Sequence, residues 1–258
     1  MKNGVLLRLA QLLLLTSVIG AWYLLTETEV LPPFFFGKPL LVFDQIVVWF
    51  ADRSIFPHLG ITLLETLLAF VIGTSAGLVC GLWLALSPLA ASLLDPYVKA
   101  FNSMPRVILA PIFAVWFGLG IWSKVFLGIT LVFFIVFFSV FHGVRQVNPI
   151  WVASAKLMGG SRFKLLRYVY LPSAMAWVFS SLHAAVGMAF VGSVIGEYLG
   201  SASGVGYLIL QAEGVFDINA VLAGIVLLTI CALLLDWVVT QCERYFLRWQ
   251  PAASEHSG

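Results

Sequence analysis

Apolar runs long enough to cross a bilayer alternate with short polar punctuation along almost the whole chain. Six of them read as spans, at residues 6–25, 59–86, 97–117, 124–144, 173–196 and 221–242. As α-helices, such runs cross a hydrocarbon core of about 30 Å with every backbone hydrogen bond closed internally. The fold class predicted is all-α, a polytopic membrane protein with about six transmembrane helices. The basic start, Lys2 and Arg8 ahead of "LAQLLLLTSVIGAWYLL", has the form of a signal peptide, with Val18-Ile19-Gly20 as a weak cleavage site. The apolar run continues through Trp22 to Leu25, so the pattern predicts a retained first helix.

Between the first two spans lies "TETEVLPPFFFGKPLLVFDQIVVWFADRSIFPH". Pro32-Pro33 stops the first helix. Phe43, Ile46, Val47 and Phe50 recur at three- and four-residue steps, predicting a short amphipathic helix at the membrane interface. Gly73, Gly77 and Gly81 form a four-residue repeat on the second span, and Gly192, Gly196, Gly200 and Gly204 another on the fifth and beyond. Such strips let backbones approach closely, within one chain or between two copies.

Composition agrees: 61% of the 258 residues are hydrophobic and 10% charged, against roughly 25% charged in soluble domains. The distribution of charge orients the spans. Lys2, Arg8, Lys99, Arg145, Lys156, Arg162, Lys164, Arg167, Arg244 and Arg248 fall at one side, and only Lys38, Arg53 and Lys124 at the other. The positive-inside rule therefore predicts both termini and the segment 145–172 in the cytoplasm. Nothing points to nucleic acid. Cys80, Cys231 and Cys242 lie far apart, the four histidines are scattered, and no P-loop sequence occurs, so no catalytic residue, metal site or ATP site is expected in this chain.

The segment "VASAKLMGGSRFKLLRYVYLP" (152–172) breaks the apolar pattern with four basic residues and no acid. Asn148 caps a helix with Pro149 at its first position. Trp151, Ala155 and Met158 share a face, and Gly159-Gly160 stops the helix. Ser161 caps a second short helix carrying Phe163, Leu166 and Tyr170, with Arg162, Lys164 and Arg167 directed elsewhere, and Leu171-Pro172 ends it at the membrane. The expected shape is a helix–Gly-Gly–helix knuckle.

Ala153, Ser154, Ala155, Gly159, Val169, Leu171 and Pro172 resemble the EAA signature of ABC importer permeases, E-A-A-x3-G-x9-I-x-L-P, at the same spacing. The signature's Glu is Ala153 here and its first Ala is Ser154. "NSMPRVILAPIFAVWFGLGIWSK" (102–124) and "VGSVIGEYLGSASGVGYLI" (191–209) resemble the nitrate/sulfonate/taurine branch, over about Leu59 to Leu247. The resemblance implies a type I ABC importer permease fold. It further implies a homodimer or paired permease, two ATP-binding cassette subunits that carry ATP and Mg, and a periplasmic substrate-binding protein, all in the bacterial cytoplasmic (inner) membrane. The 145–172 loop would be the coupling helix that docks on the ATPase. The domains expected are an N-terminal helix (1–30), a periplasmic connection (31–58), a permease core (59–250) and a cytoplasmic tail (251–258).

Ionisable residues within spans line aqueous paths or pair with one another. Arg106, after Pro105, falls roughly 13 Å into the third span, and its guanidinium matches a carboxylate, sulfonate or nitrate. Two readings stand: Arg106 lines an anion path with Phe101, Asn102, Pro105 and Phe190, or it forms a structural pair with Glu65 or Glu197. Glu65 is expected near the outer leaflet within reach of water, and Asp236 beside Arg244 or the headgroups. Glu197, Gly200, Gly204 and Gly206 are read as a tight, partly re-entrant turn where a binding protein docks. The function expected is permease of a small anion, a sulfonate such as taurine, nitrate or an organic carboxylate. The alternatives are a secondary ion-coupled transporter and an importer of a neutral thiamine-precursor-like pyrimidine.

Overall fold

A computed structural model describes residues 2–246. The elements are α1 (Lys2–Glu27), α2 (Pro33–Phe36), α3 (Pro39–Ala51), α4 (Ile55–Leu86), α5 (Pro88–Ser103), α6 (Leu109–Phe117) and α7 (Ile121–Arg145). They continue with α8 (Pro149–Leu157), α9 (Arg162–Leu165), α10 (Leu171–Gly200), α11 (Val205–Gly214) and α12 (Ile218–Phe246). Among the described residues five helices are long and apolar enough to cross a membrane, and six when a bent pair counts as one span.

The core is a three-helix stack with α7 between α4 and α10. Small residues set its spacing. A Cβ at Gly77 would stand 2.8 Å from the Phe133 carbonyl oxygen, and one at Gly81 2.9 Å from that of Phe137. The first glycine strip is therefore spent on packing α4 against α7 within the chain. Val125, Val132, Val136 and Val140 fill the seam with Ala69, Ala185 and Ala189. β-branched residues suit such a seam because they hold one rotamer in a helix. By contrast α1 is exposed along almost its whole length, as fits a helix wrapped by lipid.

Three expectations need correcting. The third span is not one helix from residue 97. It begins at Pro88 as α5, breaks after Ser103, and resumes through a 3-10 turn (Arg106–Ile108) into α6, at 76° to the first half. Pro105 explains the break: it excludes helical backbone at the preceding residue, and Met104 is extended at φ −69°, ψ 133°. Second, α3 turns Val42, Ile46 and Trp49 toward the protein, while Phe43, Val47 and Phe50 stay exposed. Third, Leu171-Pro172 does not end the second arm of the knuckle. A π-helical turn, Leu166–Tyr170, carries it straight into α10. The Leu171 N–H reaches back to the Leu166 carbonyl, and the Ser173 hydroxyl donates to the Val169 carbonyl at 2.8 Å. Pro172 has no N–H to give, and the wider turn absorbs that gap.

Candidate functional site

The break in the third span leaves Arg106 at the corner between α5 and α6. Its Nη2 donates to the Asn102 carbonyl at 3.1 Å and to Asn102 Oδ1 at 2.6 Å. The guanidinium lies 4.7 Å above the ring of Phe134, midway along α7. Its Nε is buried with no partner. Among the described residues no carboxylate pairs with Arg106, so the reading that joins it to Glu65 or Glu197 is set aside. Phe101, Asn102 and Pro105 are exposed beside it, whereas Phe190 is 7% exposed and lines a different cavity, of about 220 Å³, between α10 and α12.

Glu65 and Glu197 instead face each other near Lys124, a residue assigned from sequence to an outer segment, whose charge acts on both although neither makes an ion pair with it. All three side chains are at most 1% exposed, so Glu65 is out of reach of water. Lys124 Nζ donates to the carbonyls of Leu119 and Gly120, the latter at 2.9 Å. Three successive N–H groups at the start of α11 are captured from other helices. Gly204 donates to His58 Nδ1 at 3.1 Å, Val205 to Thr62 Oγ1 at 3.0 Å and Gly206 to Glu197 Oε2 at 2.7 Å. These are the donors a helix start leaves open. The turn at residues 201–204 is tight as expected, but Glu197, Gly204 and Gly206 are buried and Gly200 is half-buried. Glu197 therefore faces the core, not a docking partner.

A second cluster joins two helices and was not predicted. His183 on α10 sits between two carboxylates of α12, with Nδ1 2.7 Å from Asp236 Oδ1 and Nε2 3.0 Å from Glu243 Oε2. Asp236 thus partners His183 rather than Arg244 or the headgroups. The sequence signal available was the seven-residue spacing of Asp236 and Glu243, which places them on one helix face.

The knuckle has the caps its sequence predicts. Asn148 Oδ1 accepts from the Ile150 N–H at 2.9 Å, and Ser161 Oγ from the Lys164 N–H at 3.4 Å. Gly159 has φ +77° and Gly160 donates to the Ala155 carbonyl at 2.9 Å. Trp151 and Phe163 are 61% and 68% exposed, as are Ile150, Leu157 and Met158 to similar or greater degree. The loop is held by its backbone, and its apolar side chains point outward; Ala153 and Ser154 are exposed, and Ala155, Val169, Leu171 and Pro172 are half-buried. The side chain of Arg162 lies outside the described residues. A cavity of about 600 Å³ opens beneath, walled by Trp151, Tyr168 and Trp177.

A bundle of helices long and apolar enough to cross a membrane, with one broken span and an exposed apolar loop at one end, is a polytopic membrane protein by class. The chain belongs to the family described as binding-protein-dependent transport system inner membrane component, which matches residues 73–247. It is 29% identical to SsuC of Bacillus subtilis, named for aliphatic sulfonates transport, over 93% of this chain and 87% of that one. It is 27% identical to the taurine transport system permease protein TauC of Escherichia coli, over 91% and 87%. The formylaminopyrimidine transport permease protein ThiX of Halalkalibacterium halodurans is 29% identical over 83% and 88%. The fold matches a chain of the MetNI methionine ABC transporter in an inward-facing conformation, with TM-score 0.59 and 20% identity over 76% of this chain and 96% of that one. The architecture is that of a type I ABC importer permease, and the chain is a translocation subunit rather than an enzyme.

Proposed function

We propose that this permease passes a small organic or inorganic anion, a sulfonate in the first instance, along a path lined by Arg106, Asn102, Phe101 and Pro105. The observation that carries this reading is the contrast between two cations. The charges of Glu65 and Glu197 act on Lys124, while no carboxylate acts on Arg106, which meets only an amide and an aromatic face. An uncompensated guanidinium at a broken span is costly unless its counter-charge comes and goes, and cargo supplies it. The sulfonate and taurine relatives support the same class.

In this reading the exposed face of residues 149–163 docks on an ATPase subunit, one loop for each of two permease copies. ATP and Mg belong to that partner. The loop end and both termini lie in the cytoplasm, the α11 end faces a periplasmic binding protein, and the complex sits in the inner membrane. Closure of the ATPase pair draws the loops together and turns the path outward to receive the anion.

The test is uptake by the assembled transporter with Arg106→Ala. Losing a charge-assisted contact is expected to cut taurine or alkanesulfonate uptake roughly 10- to 100-fold, with the ATPase still co-purifying. Unchanged anion uptake would defeat the reading. Undiminished transport of a neutral formylaminopyrimidine alone would place the chain with its pyrimidine relatives.

A further inference from the structure

A second charged site lies in the core, and the anion path does not use it. Glu65 from α4, Lys124 from α7 and Glu197 from α10 are fully buried under the start of α11, near enough for their charges to act on one another. Two carboxylates against one ammonium leave an excess negative charge in a dry interior, where an unmatched charge is expensive. The lysine hydrogen bonds do not relieve it, since they run to the Leu119 and Gly120 carbonyls. Glu197 Oε2 is taken by the Gly206 N–H, but Glu197 Oε1 and Glu65 Oε2 are buried with no partner. The two carboxyl groups also lie within hydrogen-bonding reach of each other. Ionised carboxylates only accept, so two of them cannot bond unless something positive stands between.

We propose that Glu65 and Glu197 form a site for one small monovalent cation, a proton, shared between their facing oxygens and bringing the cluster with Lys124 to neutrality. The two carboxyls are not equivalent. Glu197 accepts from the first turn of α11, whose N-terminal end favours negative charge, so the proton resides on Glu65. A sodium ion would satisfy the same charge count but needs further oxygen ligands. The nearby hydroxyls are already engaged: Thr62 accepts from the Val205 N–H and stands within hydrogen-bonding reach of both the His58 carbonyl and Glu197, and Thr66 donates to the Thr62 carbonyl.

The consequence is a latch on the α10–α11 turn. The ionisable groups around it are His58 of α4, which accepts from Gly204 and stacks on Tyr207 of α11 at 6.3 Å, Lys124 of α7, and Tyr198 of α10, which donates to Glu213 of α11. With the proton present the turn stays seated. Its loss sets two anions against one lysine beneath that turn, so the latch weakens as pH rises. Glycines make the seat: a Cβ at Gly204 would overlap the Glu197 carboxyl group, and one at Gly196 would stand 2.8 Å from Lys124 Cγ.

The experiment is infrared spectroscopy of the purified transporter in nanodiscs, in sodium-free choline buffer. Wild type is expected to show a carboxylic-acid C=O stretching band that disappears in Glu65→Gln. That variant carries a neutral hydrogen-bond donor at the same place. It keeps wild-type uptake, and its thermal midpoint stays flat through the alkaline range where that of wild type falls. A band unchanged by Glu65→Gln, with a wild-type midpoint raised by sodium chloride but not choline chloride, would overturn the proton in favour of sodium. An unchanged band with no cation effect would overturn the site. Should Glu65→Gln fail to assemble, the wild-type difference spectrum between neutral and alkaline pH reads the same band, and its absence there counts equally against the proposal.

Discussion

Gly192 of α10 faces Gly128 of α7 so closely that a Cβ built on Gly192 stands 2.6 Å from the Gly128 Cα. That contact is backbone against backbone and has nowhere to yield. Gly192→Val is expected to cost at least about 1–3 kcal/mol through overpacking, read as a lower midpoint in detergent melting. Gly20→Val on α1, where a Cβ meets nothing within 4 Å, is the control and is expected to be neutral.

Gly159 is required for its φ of +77° rather than for space, because a Cβ there meets no atom within 4 Å. Gly159→Asn, which tolerates the left-handed region, is expected to retain transport. Gly159→Val stores about 1–3 kcal/mol of backbone strain and is expected to lower uptake while ATP hydrolysis by the partner persists. The ratio of substrate imported to ATP hydrolysed is the measurement.

Pro172 makes the π turn. Pro172→Ala restores an N–H that can bond the Tyr168 carbonyl in ordinary α-helical register. Closing the extra residue out of the turn rotates the knuckle by roughly 100° about the α10 axis, one residue's worth. The variant is expected to melt no lower than wild type, and yet to import less per ATP. A lower melting point with normal coupling would assign Pro172 a purely structural part.

His183 ties α10 to α12 through Asp236 and Glu243. A double-mutant cycle of His183→Gln with Asp236→Asn is expected to give a coupling energy of about 0.5–1 kcal/mol, the low end for residues in contact. The reason is that the Asp236 side chain is 57% exposed and partial exposure weakens such pairs. Chemical unfolding in lipid–detergent micelles measures it.

The spans were legible because apolar length is all that a bilayer demands of a helix. The knuckle was legible too, since Asn148, Pro149, Gly159 and Ser161 each do locally what their chemistry favours. The third span was legible only as one apolar run, which showed neither the break at Pro105 nor that the chain upstream of it, from Pro88, is already helical. The charge cluster was hidden for a different reason. Glu65, Lys124 and Glu197 come from three separate helices, and only the glycines at 73, 77, 128 and 192, by drawing those helices together, decide which charges meet. The π turn was hidden because proline before a membrane run reads as a stop, and a five-residue hydrogen bond leaves no mark in hydrophobic periodicity.

The unbroken path from α9 through the π turn to the end of α10, residues 162 to 200, has a mechanical consequence. At about 1.5 Å per residue it approaches 60 Å, nearly twice the hydrocarbon thickness. One shaft therefore joins the exposed loop at one face of the membrane to the seated turn at the other. Between its ends His183 ties the shaft to α12, and no break in the helical backbone lies between loop and turn to absorb a displacement of either.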